Sequence, residues 1–509
     1  MDGHNHPDQH VIIIGGGPAG LTAAYELGKA SVKSTVLEAD DIVGGISRTA
    51  NYKGYHFDIG GHRFFTKVKV VDEFWHEILP EEDFLTCSRL SRIYYNKKFF
   101  FYPLKATNAL FGLGLWNTFR ILLSYFKVKF FPNETEDTLE DWVSNRFGRR
   151  LYEIFFKTYT EKVWGIPCSK IAADWAAQRI KGLSLKEAVK NALLQQSSRQ
   201  KGKGEVITTL IDSFEYPRRG PGMMWEAVTE RVRAQGSEVR MQTRAEKIIR
   251  RGNRVEAVEA VTPEGLQRLE GTHFISSMPI RTLINCMEPA APAEVVAAAD
   301  RLKYRDFLTV ALIIKQRDLF PDNWIYIHDP EVKVGRIQNF KNWSAHMVPD
   351  PESTCLGLEY FCFEGDGLWT MADADLVELG RQEINRLGLA RAEDVVDGCV
   401  VRMPKAYPVY DGEYREALKT IQAFVGGIEN LQLVGRNGMH RYNNQDHSML
   451  TAMLAARNIL GASYDLWKVN DDNNYHEEVR SGERDALSEE LGRLNASQPR
   501  VPAAIVTAA

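Results

Sequence analysis

The feature that most constrains this chain is a glycine-rich turn between a short apolar strand and a helical segment near its start. A β-branched run over His10–Ile14 leads into Gly15, Gly17 and Gly20, and a helical pattern follows at once. In this spacing the first glycine allows a tight turn, the second lets backbone approach a pyrophosphate, and the third lets the helix pack on the strand. The pyrophosphate lies at the helix N-terminus, where free N–H groups favour an anion. The sequence therefore predicts a Rossmann-like dinucleotide-binding unit.

An acidic residue stands at the end of the second predicted strand. Ser34–Leu37 forms this strand, and Glu38 follows it, about 20 residues beyond the last glycine of the turn. A carboxylate at this place hydrogen-bonds the ribose 2′-hydroxyl and disfavours a 2′-phosphate. The motif therefore predicts four cofactor-binding residues: Gly15, Gly17, Gly20 and Glu38.

Composition excludes several other classes of function. The 509 residues are enough for two or three domains. Because 63 Lys and Arg stand against 67 Asp and Glu, the net charge is −4, and nucleic acid is not an expected partner. The six cysteines contain no CxxC pair, which favours a reducing compartment, the cytoplasm. The leader has no secretory pattern, its His4, His6 and His10 are interpreted as solvated, and no metal site is predicted.

The most apolar part of the chain runs over Ala106–Phe131. Its longest uncharged stretch, Ala106–Phe119, is shorter than the roughly 20 residues that a spanning helix needs. We predict a buried or interface-forming helix pair and no integral membrane segment, and a peripheral membrane contact stays open. A polar stretch over 183–204 predicts a helix followed by an exposed loop, and the residues from about 495 predict a disordered tail.

The segments after Glu38 resemble a known group of flavoproteins. EADDIVGGISRT resembles the second signature of the amine oxidase, protoporphyrinogen oxidase and UDP-galactopyranose mutase superfamily, and YKGYHFDIGGHRFF continues the resemblance toward the flavin. The chain has no second GxGxxG, which disfavours a reductase with two dinucleotides. The resemblance implies one tightly held FAD, bound in part by Gly45, Arg48, Gly60 and Gly61.

The C-terminal part resembles one branch of that superfamily. LVGRNGMHRYNNQDHS is similar to the closing FAD motif of UDP-galactopyranose mutases, most closely the long eukaryotic-type enzymes. The resemblance implies that the flavin and the adjacent diphosphate are lined by Arg436, Tyr442, Asn444, Gln445 and Ser448. The polar run over 444–448 also fits a helix N-cap, and both interpretations stay open.

Further segments resemble the mutases in the same order along the chain. They are YTEKVWGIP with Trp164, AAQRI with Arg179, NWIYIHD with Tyr326, VGRIQNFKNWS with Arg336, and AYPVYDGEYRE with Tyr407. The resemblance places Trp164 in the family's KVW pattern and assigns the other four residues to diphosphate positions. Guanidinium groups pair phosphate oxygens bidentately and phenol hydroxyls add neutral donors, so the set suits a diphosphate.

The resemblance implies a redox-neutral isomerisation of a nucleoside diphosphate sugar. Reduced FAD attacks the anomeric carbon through N5, the nucleoside diphosphate leaves, and the sugar ring opens and recloses in the other size. Arg179 and Arg336 then stabilise the leaving phosphate, and His62 matches a family histidine that helps set the reduced flavin. These three are the predicted catalytic residues. FAD is expected to act in its reduced form, with NAD(P)H as a candidate external reductant.

Two positions depart from the eukaryotic-type pattern. Thr160 replaces an asparagine near the substrate, and Lys105 replaces a glutamine near the uridine. Both remain predicted substrate-binding residues, together with Tyr326, Tyr407, Tyr442, Arg436 and Trp164. The nucleoside and the sugar stay open, because discrimination depends on specific donors and acceptors. Arg63 adds a charge that either favours an anionic reduced flavin or pairs with a carboxylate.

We expect an α/β fold with a Rossmann-like FAD-binding domain on a parallel sheet, a helical segment and an antiparallel-sheet substrate domain. The FAD domain is assigned to 1–85, 205–285 and 425–475, the helical substrate or interface domain to 86–204, the antiparallel sheet to 286–424, and a C-terminal extension to 476–509. Alternation over 236–265 predicts strands and a hairpin, and residues 272–279 return a strand to the parallel sheet.

The leading hypothesis is an FAD-dependent nucleotide-sugar mutase. The second is an FAD-dependent oxidase or desaturase of the amine oxidase or protoporphyrinogen oxidase type acting on an apolar substrate, since one fold hosts many chemistries. A non-catalytic FAD-fold scaffold for glycan assembly is the third. The oligomeric state stays open.

Overall fold

The computed structural model describes residues 9–102, 104, 108, 112–173, 209–210, 213–470 and 478–479. The strands in chain order are β1 (His10–Ile14), β2 (Lys33–Leu37), β3 (Thr49–Tyr52), β4 (Tyr55–Asp58), β5 (Phe84–Ser88), β6 (Ser91–Tyr95), β7 (Lys98–Phe101), β8 (Thr209–Leu210), β9 (Ser213–Pro217), β10 (Glu238–Arg240), β11 (Arg244–Arg251), β12 (Arg254–Thr262), β13 (Gly265–Glu270), β14 (His273–Ser276), β15 (Met287–Glu288), β16 (Tyr304–Ile314), β17 (Trp324–Ile327), β18 (Arg336–Asn339), β19 (Thr354–Cys362), β20 (Val395–Pro408), β21 (Leu431–Leu433) and β22 (Glu478–Val479). The helices in chain order are α1 (Pro18–Lys29), α2 (Lys69–Ile78), α3 (Leu115–Phe130), α4 (Leu139–Phe147), α5 (Arg149–Tyr152), α6 (Thr158–Trp164), α7 (Gly222–Ala234), α8 (Ile280–Asn285), α9 (Ala293–Arg301), α10 (Phe340–Trp343), α11 (Asp373–Arg386), α12 (Tyr414–Val425) and α13 (Gln445–Ile459).

A five-stranded parallel sheet forms the centre of the dinucleotide-binding part. Its order is β10-β2-β1-β14-β21, and every neighbouring pair is parallel. β1 is buried from Val11 to Ile14, as expected for a strand covered on both faces. α1 packs against α7 and α13. The predicted α/β class with a parallel sheet is therefore confirmed, and β14 is the strand predicted to return beside β1.

Two further sheets are largely antiparallel. The strands of the larger one follow the order β20-β16-β19-β18-β17-β6-β7, and β16 and β19 are buried along their whole lengths. The smaller one has the order β13-β12-β11-β15, in which β11 and β12 form the hairpin predicted over 236–265. The larger sheet supplies Arg336 and Tyr407, two of the side chains that line the candidate site.

The larger sheet takes two strands from a part of the chain predicted to be helical. β6 pairs in parallel with β17, and β7 pairs antiparallel with β6. The helical prediction for 86–204 is wrong over these two strands. They are short, and their two-residue turn uses Asn96 and Lys97 at positive φ, without the glycine that most often marks such a hairpin. The domain boundaries themselves stay predictions.

Within the apolar segment over 106–131, residues 108, 112 and 113 are helical, and after Gly114 the helix α3 runs over Leu115–Phe130. Ile121 is fully buried, but Trp116 and Phe130 are 69 % and 75 % exposed, so a fully buried helix is the wrong prediction here. The interface-forming alternative stays a prediction. Within the described ranges no helix is both long and apolar enough to cross a membrane.

Several predicted features lie outside the described residues. They are Lys105, Arg179, His4, His6, the loop over 183–204, the tail from about 495 and, apart from β22, the extension over 476–509.

Candidate cofactor and substrate site

The first glycine turn joins β1 to α1, and its conformation and packing require glycine at two positions, Gly15 and Gly20. Gly15 has φ +104°, and its N–H donates to the carbonyl of Leu37 at 2.8 Å. A Cβ on Gly20 would lie 1.9 Å from the carbonyl oxygen of Gly15. Gly17 caps α1 without a side-chain hydrogen bond, so the first-turn N–H groups have no side-chain cap competing for them. This geometry suits a pyrophosphate at the start of α1.

The second glycine turn lies directly against the first. The N–H of Gly44 donates to the carbonyl of Gly16 at 2.8 Å, and both Gly44 and Gly45 have positive φ. A Cβ on Gly45 would lie 3.4 Å from the Cα of Gly17. The two turns therefore form a cradle of bare backbone.

The predicted acidic residue sits at the end of β2 beside this cradle. Glu38 accepts hydrogen bonds from the N–H of Gly16 at 2.7 Å and of Asp40 at 2.9 Å. Burial raises the pKa of Glu38 above its ordinary value, although both hydrogen bonds act against that shift. Arg48 does not pair with Glu38 but forms an ion pair with Asp40 at 2.5 Å.

A cleft adjoins the second glycine turn. It is lined by Ile46, residues 59–63, Phe65, Arg336, Tyr407, Arg436, Tyr442 and residues 444–446. The lining thus brings together segments of the chain that are up to about 400 residues apart in sequence, from the second glycine turn, the loop after β4, the antiparallel sheet and the start of α13.

Arg336 enters the cleft from the first position of β18. Its side chain is 18 % exposed, and its Nε and Nη2 both donate to Oε2 of the fully buried Glu359 at 2.5 Å. Gln338 donates to the other oxygen of Glu359 at 2.8 Å. Burial alone would lower the pKa of Arg336, but the Glu359 carboxylate with Tyr159 and Tyr407 holds that pKa well above its ordinary value. A permanent positive charge therefore faces the cleft.

Arg436 is fixed beside two tyrosines. Its Nε donates to the carbonyl of Asn443 at 2.9 Å and its Nη1 to the carbonyl of Ala406 at 3.2 Å. The guanidinium carbon lies 4.8 Å from the ring centroid of Tyr442 and 5.5 Å from that of Tyr407. The two rings stack at 5.6 Å, so the arginine and both phenols form one rigid group.

His62 lines the same cleft as both arginines, on the loop with Gly60 and Gly61. A Cβ on Gly60 would lie 3.7 Å from Cε1 of His62 and 3.8 Å from Nη2 of Arg336. Burial, with the charges of Arg436 and Arg336, lowers the pKa of His62 to about 3. Its Nδ1 is buried and has no hydrogen-bond partner among the described residues. The imidazole is therefore neutral near pH 7.

An aromatic wall continues from the cleft into α6. Tyr326 lies 5.4 Å from the ring of Tyr159 and 4.8 Å from that of Tyr102, and Trp164 lies 6.4 Å from Tyr407. Thr160 is buried on the same helix. Burial holds the pKa of Tyr159 well above its ordinary value, so its hydroxyl stays protonated.

The start of α13 has the N-cap geometry, and part of the polar run over 444–448 also lines the cleft. Asn444 and His447 form a capping box, which is the N-cap interpretation. Gln445 also lines the cleft, and its Nε2 donates to the carbonyl of Arg63 at 3.1 Å. Ser448 is buried one turn into the helix. Arg63 lines the cleft and stacks over Trp324 at 5.5 Å.

Sequence reasoning missed two residues that interact with Arg336, namely Glu359 and Tyr159. Glu359 holds Arg336, and its signal is one acidic residue inside the otherwise apolar strand TCLGLEYFC. Tyr159 lies in the YTEKVW segment, directly before Thr160, which is a predicted substrate-binding residue. A charged group in a buried strand requires a partner, so Glu359 could have been found from the sequence.

Comparison with known proteins places this architecture in a family. The profile of the flavin-containing amine oxidoreductases matches residues 18–460. The chain belongs to this family. The curated relatives it matches include the L-amino acid oxidases Cdc18 of Crotalus durissus cumanensis and bordonein-L of Crotalus durissus terrificus, each 46 % identical over 66 residues. Those matches span 13 % of this chain and 13 % of each relative.

Solved structures with quite different activities share the fold of this family member. A reduced UDP-galactopyranose mutase has a TM-score of 0.78 at 22 % identity, covering 92 % of this chain and 99 % of that chain. A CLA-producing fatty acid isomerase from P. acnes has a TM-score of 0.56 at 14 % identity, covering 90 % of this chain and 99 % of that chain. A redesigned putrescine oxidase has a TM-score of 0.57 at 15 % identity, with the same coverage of 90 % and 99 %. These likenesses show the fold.

The described residues of this family member fit FAD. The two turns approach each other closely at Gly17 and Gly45, α1 begins without a side-chain cap, and Glu38 follows β2 beside them. Beyond the cradle, the buried Nδ1 of His62 offers a hydrogen-bonding atom in the cleft. This donor and acceptor set suits a dinucleotide that reaches from the parallel sheet into the cleft.

A buried carboxyl group anchors the loop that carries Gly60, Gly61 and His62. Asp58 ends β4, is fully buried, and receives hydrogen bonds from Tyr216 at 2.6 Å and Thr49 at 3.1 Å. Burial raises the pKa of Asp58 to about 8, against the effect of both hydrogen bonds. The group is therefore largely protonated in the folded state near pH 7.

This shift predicts a specific dependence of stability on pH. The pKa of Asp58 in the folded state lies above the unfolded value of about 3.9. Between about pH 4 and 8 the folded state therefore binds more protons than the unfolded state, and the free energy of unfolding falls as pH rises through this range. In Asp58→Asn this fall should be absent, so the pH dependence of the free energy of unfolding should differ from the wild type by about a few kcal/mol over the same range. Urea unfolding at several pH values measures it, with the exposed Asp72→Asn as control. Parallel pH curves for wild type and Asp58→Asn would refute the shift.

Proposed function

We propose that this protein is an FAD-dependent nucleotide-sugar mutase that interconverts the pyranose and furanose forms of a nucleoside diphosphate sugar. One observation carries the proposal. Arg336 and Arg436 line one cleft with Tyr407 and Tyr442, and Tyr326 lies close by in the aromatic wall. Two fixed guanidinium groups with phenol hydroxyls are suited to a compact diphosphate.

Bound FAD in its reduced form supplies the nucleophile that a redox-neutral ring interconversion needs, and NAD(P)H is the candidate source of its electrons. The protein's part is to hold the diphosphate while the bond to the anomeric carbon breaks. Arg336 keeps its charge through Glu359, and Arg436 is held by two backbone carbonyls, so neither group must reorganise as negative charge develops.

The remaining side chains are proposed to provide hydrogen bonds and contacts around the reacting groups. His62 is neutral, so it adds no charge to the cleft and can accept or donate one hydrogen bond beside the flavin. The hydroxyls of Tyr407 and Tyr159 stay protonated and act as neutral donors, because burial raises both pKa values. Thr160 and Lys105 are proposed to contact the sugar and the nucleoside, and Arg179 is proposed to contact the diphosphate.

A second candidate is an FAD-dependent oxidase. Ile46, Ile59 and Phe65 line the same cleft and would contact an apolar substrate. The curated relatives that match a short part of the chain are L-amino acid oxidases. This candidate predicts consumption of O₂ with each turnover, and it leaves the arginine pair without an anionic ligand unless the substrate carries a carboxylate.

A panel of nucleoside diphosphate sugars distinguishes these candidates. The purified protein is incubated anaerobically with each sugar nucleotide, in the oxidised state and after dithionite reduction, and product ring size is read by NMR. We expect a ring-size change with at least one sugar nucleotide in the reduced state and none in the oxidised state. Failure with every member, combined with rapid O₂ uptake on an amine or lipid, would replace the mutase with the oxidase.

A further inference from the structure

Helix α3 presents a continuous apolar stripe to solvent. Its members are Trp116, Phe119, Leu123, Phe126 and Phe130, with exposed fractions of 69 %, 52 %, 54 %, 54 % and 75 %, and Phe131 extends it at 76 %. The alternating three- and four-residue spacing puts the five helical members on one side. Over the helical rise the stripe is about 21 Å long. Scattered exposed apolar residues need no explanation, but a contiguous aromatic stripe indicates a binding surface.

The opposite side of α3 is fastened to the protein. Ile121 is fully buried, and the N–H of Arg150 donates to Oγ of Ser124 at 3.1 Å. Gly148 adopts φ +83°, and a Cβ there would lie 2.8 Å from the backbone nitrogen of Tyr125. Backbone thus packs directly on backbone at the α4–α5 turn, so the orientation of the stripe is fixed.

The charged residues of α3 itself are all positive. Arg120, Lys127 and Lys129 are exposed, and residues 115–130 contain no Asp or Glu. The first acidic residue after the helix is Glu134, beyond its last turn, and Glu136 is paired with Arg146 at 2.8 Å. The surface of α3 therefore combines aromatic side chains with a local positive field.

These charges argue against a second copy of the chain as the occupant. If the stripe were the seam of a helix pair, Arg120 and Lys127 would flank it on one side and Lys129 on the other. Pairing two identical helices would then bring like charges together across the seam, which is destabilising. An anionic surface relieves that repulsion, and a bilayer interface accepts Trp and Phe at headgroup depth.

We propose that α3 docks this protein on an anionic lipid bilayer, lying in the plane of the interface with its aromatic stripe inserted among the headgroups. The buried side of α3 belongs to the same apolar cluster as Trp164 and Tyr407. A membrane bound by α3 would therefore lie against the part of the protein whose apolar cluster also packs behind the candidate cleft. The inference rests on the stripe and its charges and does not depend on the proposed mutase activity.

Vesicle co-sedimentation of the FAD-loaded full chain tests the proposal. Binding is expected to phosphatidylcholine vesicles containing phosphatidylglycerol, to be weaker on phosphatidylcholine alone, and to fall with added salt. Phe119→Ser with Phe126→Ser should weaken the partition coefficient about tenfold or more. Lys127→Glu with Lys129→Glu should abolish the preference for the anionic lipid.

The controls separate docking from misfolding and from self-association. Val396→Ser removes another exposed apolar side chain, 58 % exposed and outside α3, and should bind like the wild type. All variants should keep the FAD content of the wild type, because the altered side chains are exposed. The proposal is overturned if the wild type does not bind anionic vesicles, or if the Phe119 and Phe126 variant binds equally well. It is also overturned if light scattering shows a dimer that this variant dissociates while vesicle binding is absent.

Discussion

Gly20→Ala is expected to remove FAD from the protein. A Cβ at this position would lie 1.9 Å from the carbonyl oxygen of Gly15 and 3.2 Å from Cγ2 of Ile13. The first contact is with backbone, so relief requires α1 to move away from β1 at the centre of the parallel sheet. Overpacking of this kind costs about 1–3 kcal/mol, and each 1.4 kcal/mol is about tenfold in affinity. We expect roughly 5- to 100-fold weaker FAD binding, measured from the flavin absorbance that the purified protein retains.

Gly28→Ala is the matched control for that substitution. It lies on the same helix, and the atom nearest to its added Cβ is Oε1 of Gln235, at the end of a side chain that can rotate away. Alanine is also the better helix former. This variant should keep its FAD. Equal retention in both variants would show that close packing of α1 on β1 does not limit cofactor binding.

Arg336→Met is expected to lower both turnover and stability. Loss of one preorganised charge at the leaving group costs about 10²–10³-fold in turnover. The fully buried Glu359 also loses its cationic partner, and breaking a buried pair from one side costs about 3–5 kcal/mol. Urea unfolding and the initial rate of ring interconversion measure the two effects separately.

A second substitution separates the structural role of Arg336 from its chemical role. In Arg336→Met with Glu359→Gln no unpaired charge is left, and Gln338 still has an oxygen to bond. Stability should return toward the wild-type value while turnover stays low. If turnover recovers together with stability, Arg336 serves only to hold Glu359 and the diphosphate assignment fails.

The parts of this fold that follow from local rules could be predicted from the sequence. The β1–α1 turn was predictable because Gly15 and Gly20 are required by a positive φ and by a backbone contact. β16 and β19 are long apolar runs of the kind that a buried layer produces. The hairpin of β11 and β12 carries the usual alternation and a glycine turn.

The features that depend on distant partners could not be predicted in this way. β6 pairs with β17, more than 200 residues later, and no local pattern encodes that pairing. The pairing of Arg336 with Glu359 likewise depends on the register between β18 and β19. For α3 the apolar periodicity predicts a helix, but it does not tell which apolar face meets the core and which meets solvent.

The central claim is that the reaction is redox-neutral, and a count of electrons tests it most directly. The protein is reduced once under anaerobic conditions, excess reductant is removed, and the sugar nucleotide that changes ring size is added in large excess. We expect many molecules of product for each reduced FAD, with the flavin still reduced at the end. Product that stops at one equivalent, or that forms only with O₂ and releases peroxide, would contradict the mutase assignment.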